Sequence, residues 1–214
     1  MDGLGVGLHL VLTDGSPVLP ATEVALLTDS QGHFLDNMAL AGVRFFFDPR
    51  VRRQLVKEIR AQFEAFRRTG FLLDHVSAHK HFHLHPTVLG LIIDIGREYG
   101  LKSVRLPLEA NGPRALIPWL KLMRRRLDKA GIRHNDRIFG LTDTGRMDES
   151  KMVAYVDQLD GGVTEIYCHP ASRREITAAM SDYQHIEEYS ALLSQRVAAA
   201  IKNEDIEMIT FRDI

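Results

Sequence analysis

The sequence predicts an α/β fold in which a parallel sheet carries helices packed outside it, and three observations predict it. Runs rich in β-formers alternate with helical patterns along most of the chain. No low-complexity linker or short repeat interrupts that alternation. The chemically distinctive residues fall near predicted strand ends, where such folds place their chemistry. The predicted strands are fewer than the eight of a complete (β/α) barrel, which leaves an open, irregular barrel or a chain lacking a part. At 214 residues the chain can bury a real core, and one domain over 1–214 is the expectation.

Taken in order, residues 6–12 alternate weakly and read as a buried strand, closed by the turn Thr13-Asp14-Gly15. His9 lies inside it between Leu8 and Leu10, as a core residue or a ligand. Residues 14–47 hold no strong period; Gly32-His33-Phe34 reads as a loop over a site or as plain surface. Asp48 suits a helix N-cap, Pro49 the first helical position and Gly70 the stop. Between them Val51, Leu55, Ile59, Phe63 and Phe66 share a face, with Arg52, Arg53, Lys57, Arg60 and Arg67 largely opposite. That basic face is read as solvated, with an anionic lipid surface as the alternative.

Residues 71–77 read as a strand leading into a histidine run, and residues 86–99 as a helix closed by Gly100. A short strand over 103–106 ends near Arg105, and a helix over 113–130 carries Arg124-Arg125-Arg126, a solvated patch or an anion contact. A strand over 137–141 and a helix over 148–159 follow. A strand over 163–168 delivers Cys168-His169-Pro170 to the loop beyond it. Residues 183–201 read as one long helix with Ile186, Leu192, Leu193 and Val197 inward. A last strand covers 206–211.

The histidine run, from Asp74 to Pro86, holds His75, His79, His81, His83 and His85, five of the ten in the chain. All stand at odd positions, so an extended chain would turn the five imidazoles to one face. Histidine binds transition metals as a neutral ligand and moves protons near neutral pH, so the row points to a metal or an acid/base site. A surface strand rich in histidine is the bland alternative. The interleaved Val76, Phe82 and Leu84, the internal position and the closing Pro86 argue against a tag.

Composition bounds the rest. Hydrophobic and charged fractions of 45% and 26% are those of a globular protein. A net charge of −1 gives no field for holding nucleic acid. The single cysteine, Cys168, excludes an internal disulfide and fits a reducing compartment. No apolar run approaches the roughly 18 to 20 residues that span a bilayer, and residues 1–7 lack the features of a signal peptide. The expected location is cytoplasmic, with peripheral membrane contact and self-association left open.

Four motifs resemble the YdjC-like carbohydrate deacetylases in the same order. They are Gly7-Leu8-His9-Leu10 followed by Leu12-Thr13, Ala78-His79-Lys80-His81-Phe82-His83-Leu84-His85-Pro86, Tyr167-Cys168-His169-Pro170-Ala171, and Phe211-Arg212-Asp213. The histidine-rich motif resembles the branch linked to hopanoid biosynthesis, except that Ser77 stands where asparagine is expected.

The resemblance implies an irregular (β/α) TIM-like barrel and hydrolysis of an N-acetyl group on an amino sugar, with a divalent metal, magnesium or zinc. It implies His9 and His79 as metal ligands and His169 as an active-site histidine that protonates the departing amine. Arg105, His81 and His83 would line the substrate. The substrate implied is an acetylated amino sugar or glycolipid. The family's Asn-Ala-Asp-Asp-Phe-Gly motif, which supplies a third ligand, has no counterpart here. Asp2 is a poor substitute for it. The expectation is a domain lacking roughly its first two strands, with metal affinity lowered to match. A non-catalytic sugar-binding or accessory protein, and another metal hydrolase such as a phosphoesterase, are the alternatives.

Overall fold

The computed structural model describes residues 3–109, 112–177, 180–204 and 206–214; Asp2 lies outside them. The elements are β1 (Val6–Leu10), α1 (Met38–Phe47), α2 (Pro49–Arg68), β2 (Leu73–Ala78), α3 (Pro86–Glu98), α4 (Ile117–Ala130), β3 (Arg137–Phe139), α5 (Glu149–Val156), β4 (Thr164–Ile166), α6 (His185–Leu192) and α7 (Gln195–Asn203). The chain divides into two compact units. The first holds Met1–Arg105, Leu122–His134 and Thr210–Ile214; the second holds Leu106–Lys121 and Asn135–Ile209.

In the first unit β1 and β2 pair in parallel, with His9 opposite Ser77 and Leu10 opposite Ala78. Isolated parallel bridges carry the pairing on from Val76 to Val104 and from Ser103 to Arg133. The predicted strand over 103–106 is thus present only as bridges. α2 forms as its caps dictate: the Asp48 side chain accepts from the Arg50 N–H and Pro49 opens the helix. Its predicted face is buried at Val51, Leu55, Ile59 and Phe63.

The same helix buries Glu58 and Gln62, and both hold the segment after β1. Glu58 Oε1 and Oε2 accept from the Val18 and Leu19 N–H groups at 2.9 and 3.1 Å. Gln62 Oε1 accepts from the Val11 N–H at 2.9 Å, and its Nε2 donates to the Val11 carbonyl at 2.7 Å. A buried polar side chain needs such partners, and here they come from a loop that has no sheet ladder of its own. Within that loop Phe34 is buried, and its N–H donates to Gly15 O at 2.8 Å.

In the second unit β3 and β4 pair in parallel, with Arg137 opposite Thr164 and Phe139 opposite Ile166. Phe139, Met147 and Tyr155 form one core cluster; Met152, Ala191 and Val197 form another.

The α/β class is therefore as expected, but the sheets seen are two short parallel pairs, and a barrel is not shown. Several expected elements differ. The histidine run is not a strand. β2 ends at Ala78, where its partner β1 ends, and residues 79–84 fold into short 3₁₀ turns across a kink at Lys80 (φ 47°) and His81 (φ 54°). The five imidazoles accordingly do not share one face. The long helix over 183–201 is two helices, because Ser194 is extended and caps α7. Leu192 and Leu193 are exposed rather than inward, and α6 buries His185, Glu188 and Ala191 instead. No strand forms over the described residues 206–211. α1 lies in the stretch without a period. Among the described residues no helix is long and apolar enough to cross a membrane.

Candidate functional site

The sequence-predicted residues fall into two groups, one in each unit. In the first unit, the parallel register sets His9 opposite Ser77, and Ser77 Oγ lies 2.8 Å from His9 Nδ1. The next turn carries His79. The His9 and His79 rings stand 5.9 Å apart, edge to face. Histidines 70 residues apart in sequence thus meet because β1 and β2 end side by side.

A carboxylate that the sequence did not mark joins them. Asp14 Oδ2 is 3.7 Å from His79 Nε2 and forms an ion pair with Lys80 Nζ. Asp14 has φ 50°, and Asp14, Lys80 and His81 are the non-glycine residues with positive φ among the described residues. Such conformations cost of order 1 to 3 kcal/mol each and persist where the surroundings over-determine them, commonly at functional sites. Here the Glu58 and Gln62 bonds hold one side of the pair, and the turn before Pro86 holds the other. The sequence signal for Asp14 was only a turn former.

Burial lowers the His79 pKa, and the Asp14 carboxylate offsets part of that shift. A neutral imidazole is the form that binds metal.

The other residues of the run have different surroundings. His83 is buried, and its Nε2 lies 3.0 Å from Arg105 O. A carbonyl only accepts, so His83 carries its proton on Nε2 and braces the Arg105 backbone. Burial first, then the nearby His81 and Arg105, push its pKa down to about 3. His81 is half-buried and meets the His83 ring at 6.0 Å. Arg105 is half-buried, with its N–H on Val76 O at 3.0 Å. His85 lies beside an apolar groove of about 440 Å³ with Phe82 and α1 residues Met38, Gly42, Val43, Phe46 and Phe47. His75 belongs elsewhere: it stacks on Phe211 at 4.3 Å and pairs with Asp74 at 2.9 Å.

In the second unit, Tyr167 and His169 follow β4. Tyr167 Oη is 2.7 Å from His169 Nε2, and Tyr183 meets the imidazole edge-on at 5.0 Å. α6 holds the backbone of the same residue. The His169 N–H donates to Glu188 Oε2, and His185 Nδ1 donates to His169 O at 2.6 Å. Glu188 is fully buried, and its other oxygen accepts from the Met147 N–H at 3.1 Å. Nearby, buried Glu109 accepts from the N–H groups of Gly140, Leu141 and Thr142 beyond β3. Tyr167 stood in one of the four motifs without a role; His185 and Glu188 carried no signal beyond polar residues in a helix.

The donor set can be tested against a divalent ion. His9 and His79, their rings 5.9 Å apart, offer two nitrogen donors. Asp14 is near enough to be considered as a third, but Lys80 holds its carboxylate. Among the described residues no group of three or more His, Cys, Asp or Glu side chains is arranged to hold a metal. Two imidazoles suit such an ion by donor chemistry; among the described residues a third protein donor is not formed.

The family model of YdjC-like proteins matches residues 1–203. The chain belongs to the YdjC-like family. A carbohydrate deacetylase of Brevibacillus brevis is 30% identical over 99% of this YdjC-like chain and 78% of its own length. One from Geobacillus stearothermophilus is 29% identical over 98% and 76%. Among solved structures, a protein from Enterococcus faecalis V583 named for cellobiose-phosphate cleavage superposes with a TM-score of 0.72. It shares 24% identity, and the match covers 98% of this chain and 77% of the other. That likeness concerns the fold.

Proposed function

We propose that this chain hydrolyses the N-acetyl group of an acetylated amino sugar with the help of a divalent metal, magnesium or zinc. The observation that carries the reading is the meeting of His9 and His79, rings 5.9 Å apart, at the paired ends of β1 and β2. Family membership and relatives that are carbohydrate deacetylases support the same reaction class. The fold that goes with this reading is an irregular (β/α) barrel, supported by the parallel pairing within each unit.

His9 and His79 would hold the ion, which when bound polarises the acetyl oxygen and makes water a better nucleophile. The chain's own residues do the rest. Ser77 orients the His9 ring through Nδ1, burial lowers the His79 pKa and so favours the metal-binding neutral form, and the strained turn at Lys80 and His81 fixes its direction. His169 supplies the proton the departing amine needs, a contribution of about 10² to 10⁴ in rate. Arg105 and His81 line the sugar.

The hopanoid-type substrate, a sugar carried on an apolar group, belongs to the same proposal. It is supported by the apolar groove beside His85, where Val43, Phe46 and Phe47 are exposed.

A second reading, a sugar-binding protein with impaired turnover, is favoured by the Lys80 hold on Asp14. One experiment separates them. Acetate release from an N-acetylglucosamine conjugate after metal depletion, and again after adding magnesium or zinc, is expected to be lost and regained. Calorimetric binding of the sugar without acetate release would favour the second reading.

A further inference from the structure

We propose that Tyr167 is the group through which His169 exchanges protons with the substrate, its hydroxyl standing between the imidazole and the reacting atom. The inference rests on the proposed hydrolysis of an acetylated amino sugar.

Tyr167 is the first residue beyond β4, at the C-terminal end of a parallel strand, the end at which α/β folds receive ligands. Its Oη is 2.7 Å from His169 Nε2, a well-formed hydrogen bond. The other ring nitrogen, Nδ1, is buried. Neither nitrogen therefore faces an incoming amine, and the imidazole has little room to turn. Glu188 and His185 hold the N–H and carbonyl of the same residue, and the Tyr183 ring abuts its edge. Among the described residues of the second unit, the titratable groups that meet His169 include Tyr167, Tyr183, His185 and Glu188. The Glu188 carboxylate is already taken up by two backbone N–H groups.

The route balances. As the tetrahedral adduct collapses, its C–N bond breaks and the electron pair stays on nitrogen. That nitrogen takes the Tyr167 hydroxyl proton while Oη takes the Nε2 proton of the His169 imidazolium. The phenol is unchanged and His169 ends neutral. The proton given up by the attacking water restores the imidazolium for the next turnover.

The test compares the wild type with Tyr167→Phe, which keeps the ring packing and removes only the hydroxyl. Nuclear magnetic resonance of nitrogen-labelled histidine reads the His169 ring, and acetate release from an N-acetylglucosamine conjugate is followed on the same samples. Neutral wild-type His169 should carry its proton on Nδ1, with Nε2 accepting from the phenol. The variant should change that tautomer or move the titration midpoint. Its kcat should fall about 10- to 100-fold with KM nearly unchanged, and the limb of the pH profile due to His169 should shift. An unmoved imidazole, or an undiminished kcat, overturns the proposal. A wild type that releases no acetate refutes the functional reading instead. The resonances alone then decide the pair: displacement supports it and identity overturns it.

Discussion

His83 shows what burial does to an imidazole in this chain. Its pKa of about 3 lies well below the ordinary 6.5. Between those values the unfolded chain binds a proton that the folded chain refuses. The stabilisation is therefore complete above pH 6.5 and is lost as the pH falls towards 3. Urea unfolding at pH 7 and pH 5 should show lower stability at pH 5, with His83 contributing a slope of at most about 1.4 kcal/mol per pH unit. His83→Gln should flatten that part of the dependence; an equally steep profile in the variant would contradict the assignment. Ser77, by contrast, acts on a neighbour. Removing its hydroxyl in Ser77→Ala should weaken divalent metal binding by about 10-fold or more, read by calorimetry, because the His9 ring loses its anchor. The pairing of His9 with His79 was legible through a family resemblance. The roles of Ser77 and Asp14 were not, since each depends on which strand end lies beside which.

At the scale of elements, local signals worked where a cap and an amphipathic face agreed, as in α2. They failed where one was missing. α1 is apolar nearly all round, so no period marks it, although Asn37 caps it by accepting from the Leu40 N–H at 3.0 Å. The histidine run kept a strand's period, but its parallel partner ended first and Pro86 began a helix. Ser194 divides α6 from α7 by accepting from the N–H groups of Arg196 and Val197. Ser194→Ala should lower the unfolding free energy by about 1 kcal/mol, measured by urea titration. Gly7 leaves room for the His75 ring: a Cβ there would sit 2.5 Å from it. Gly7→Ala should cost about 1 to 3 kcal/mol by the same measurement, and a neutral result would mean that the ring moves freely.

For the whole molecule, closure of the first unit depends on its last residues. Arg212 N–H donates to Asp74 Oδ1 at 3.1 Å, Phe211 stacks on His75, and Ser103 Oγ donates to Phe211 O at 2.8 Å. Residues 206–211, β-rich in sequence, form no strand among the described residues; the Ile206 N–H bonds to Ile201 O in α7, and Phe211 O is taken by the Ser103 hydroxyl. The Phe-Arg-Asp motif thus closes the unit at buried Asp74. Hydrolysis by this chain is tested by the acetate and free amine formed from an N-acetylglucosamine conjugate, with magnesium or zinc in excess, by the wild type, His9→Ala and His79→Ala. The wild type should give equal amounts of acetate and amine, and either variant a loss of at least about 100-fold. No release by the wild type, or undiminished release by the variants, would contradict it.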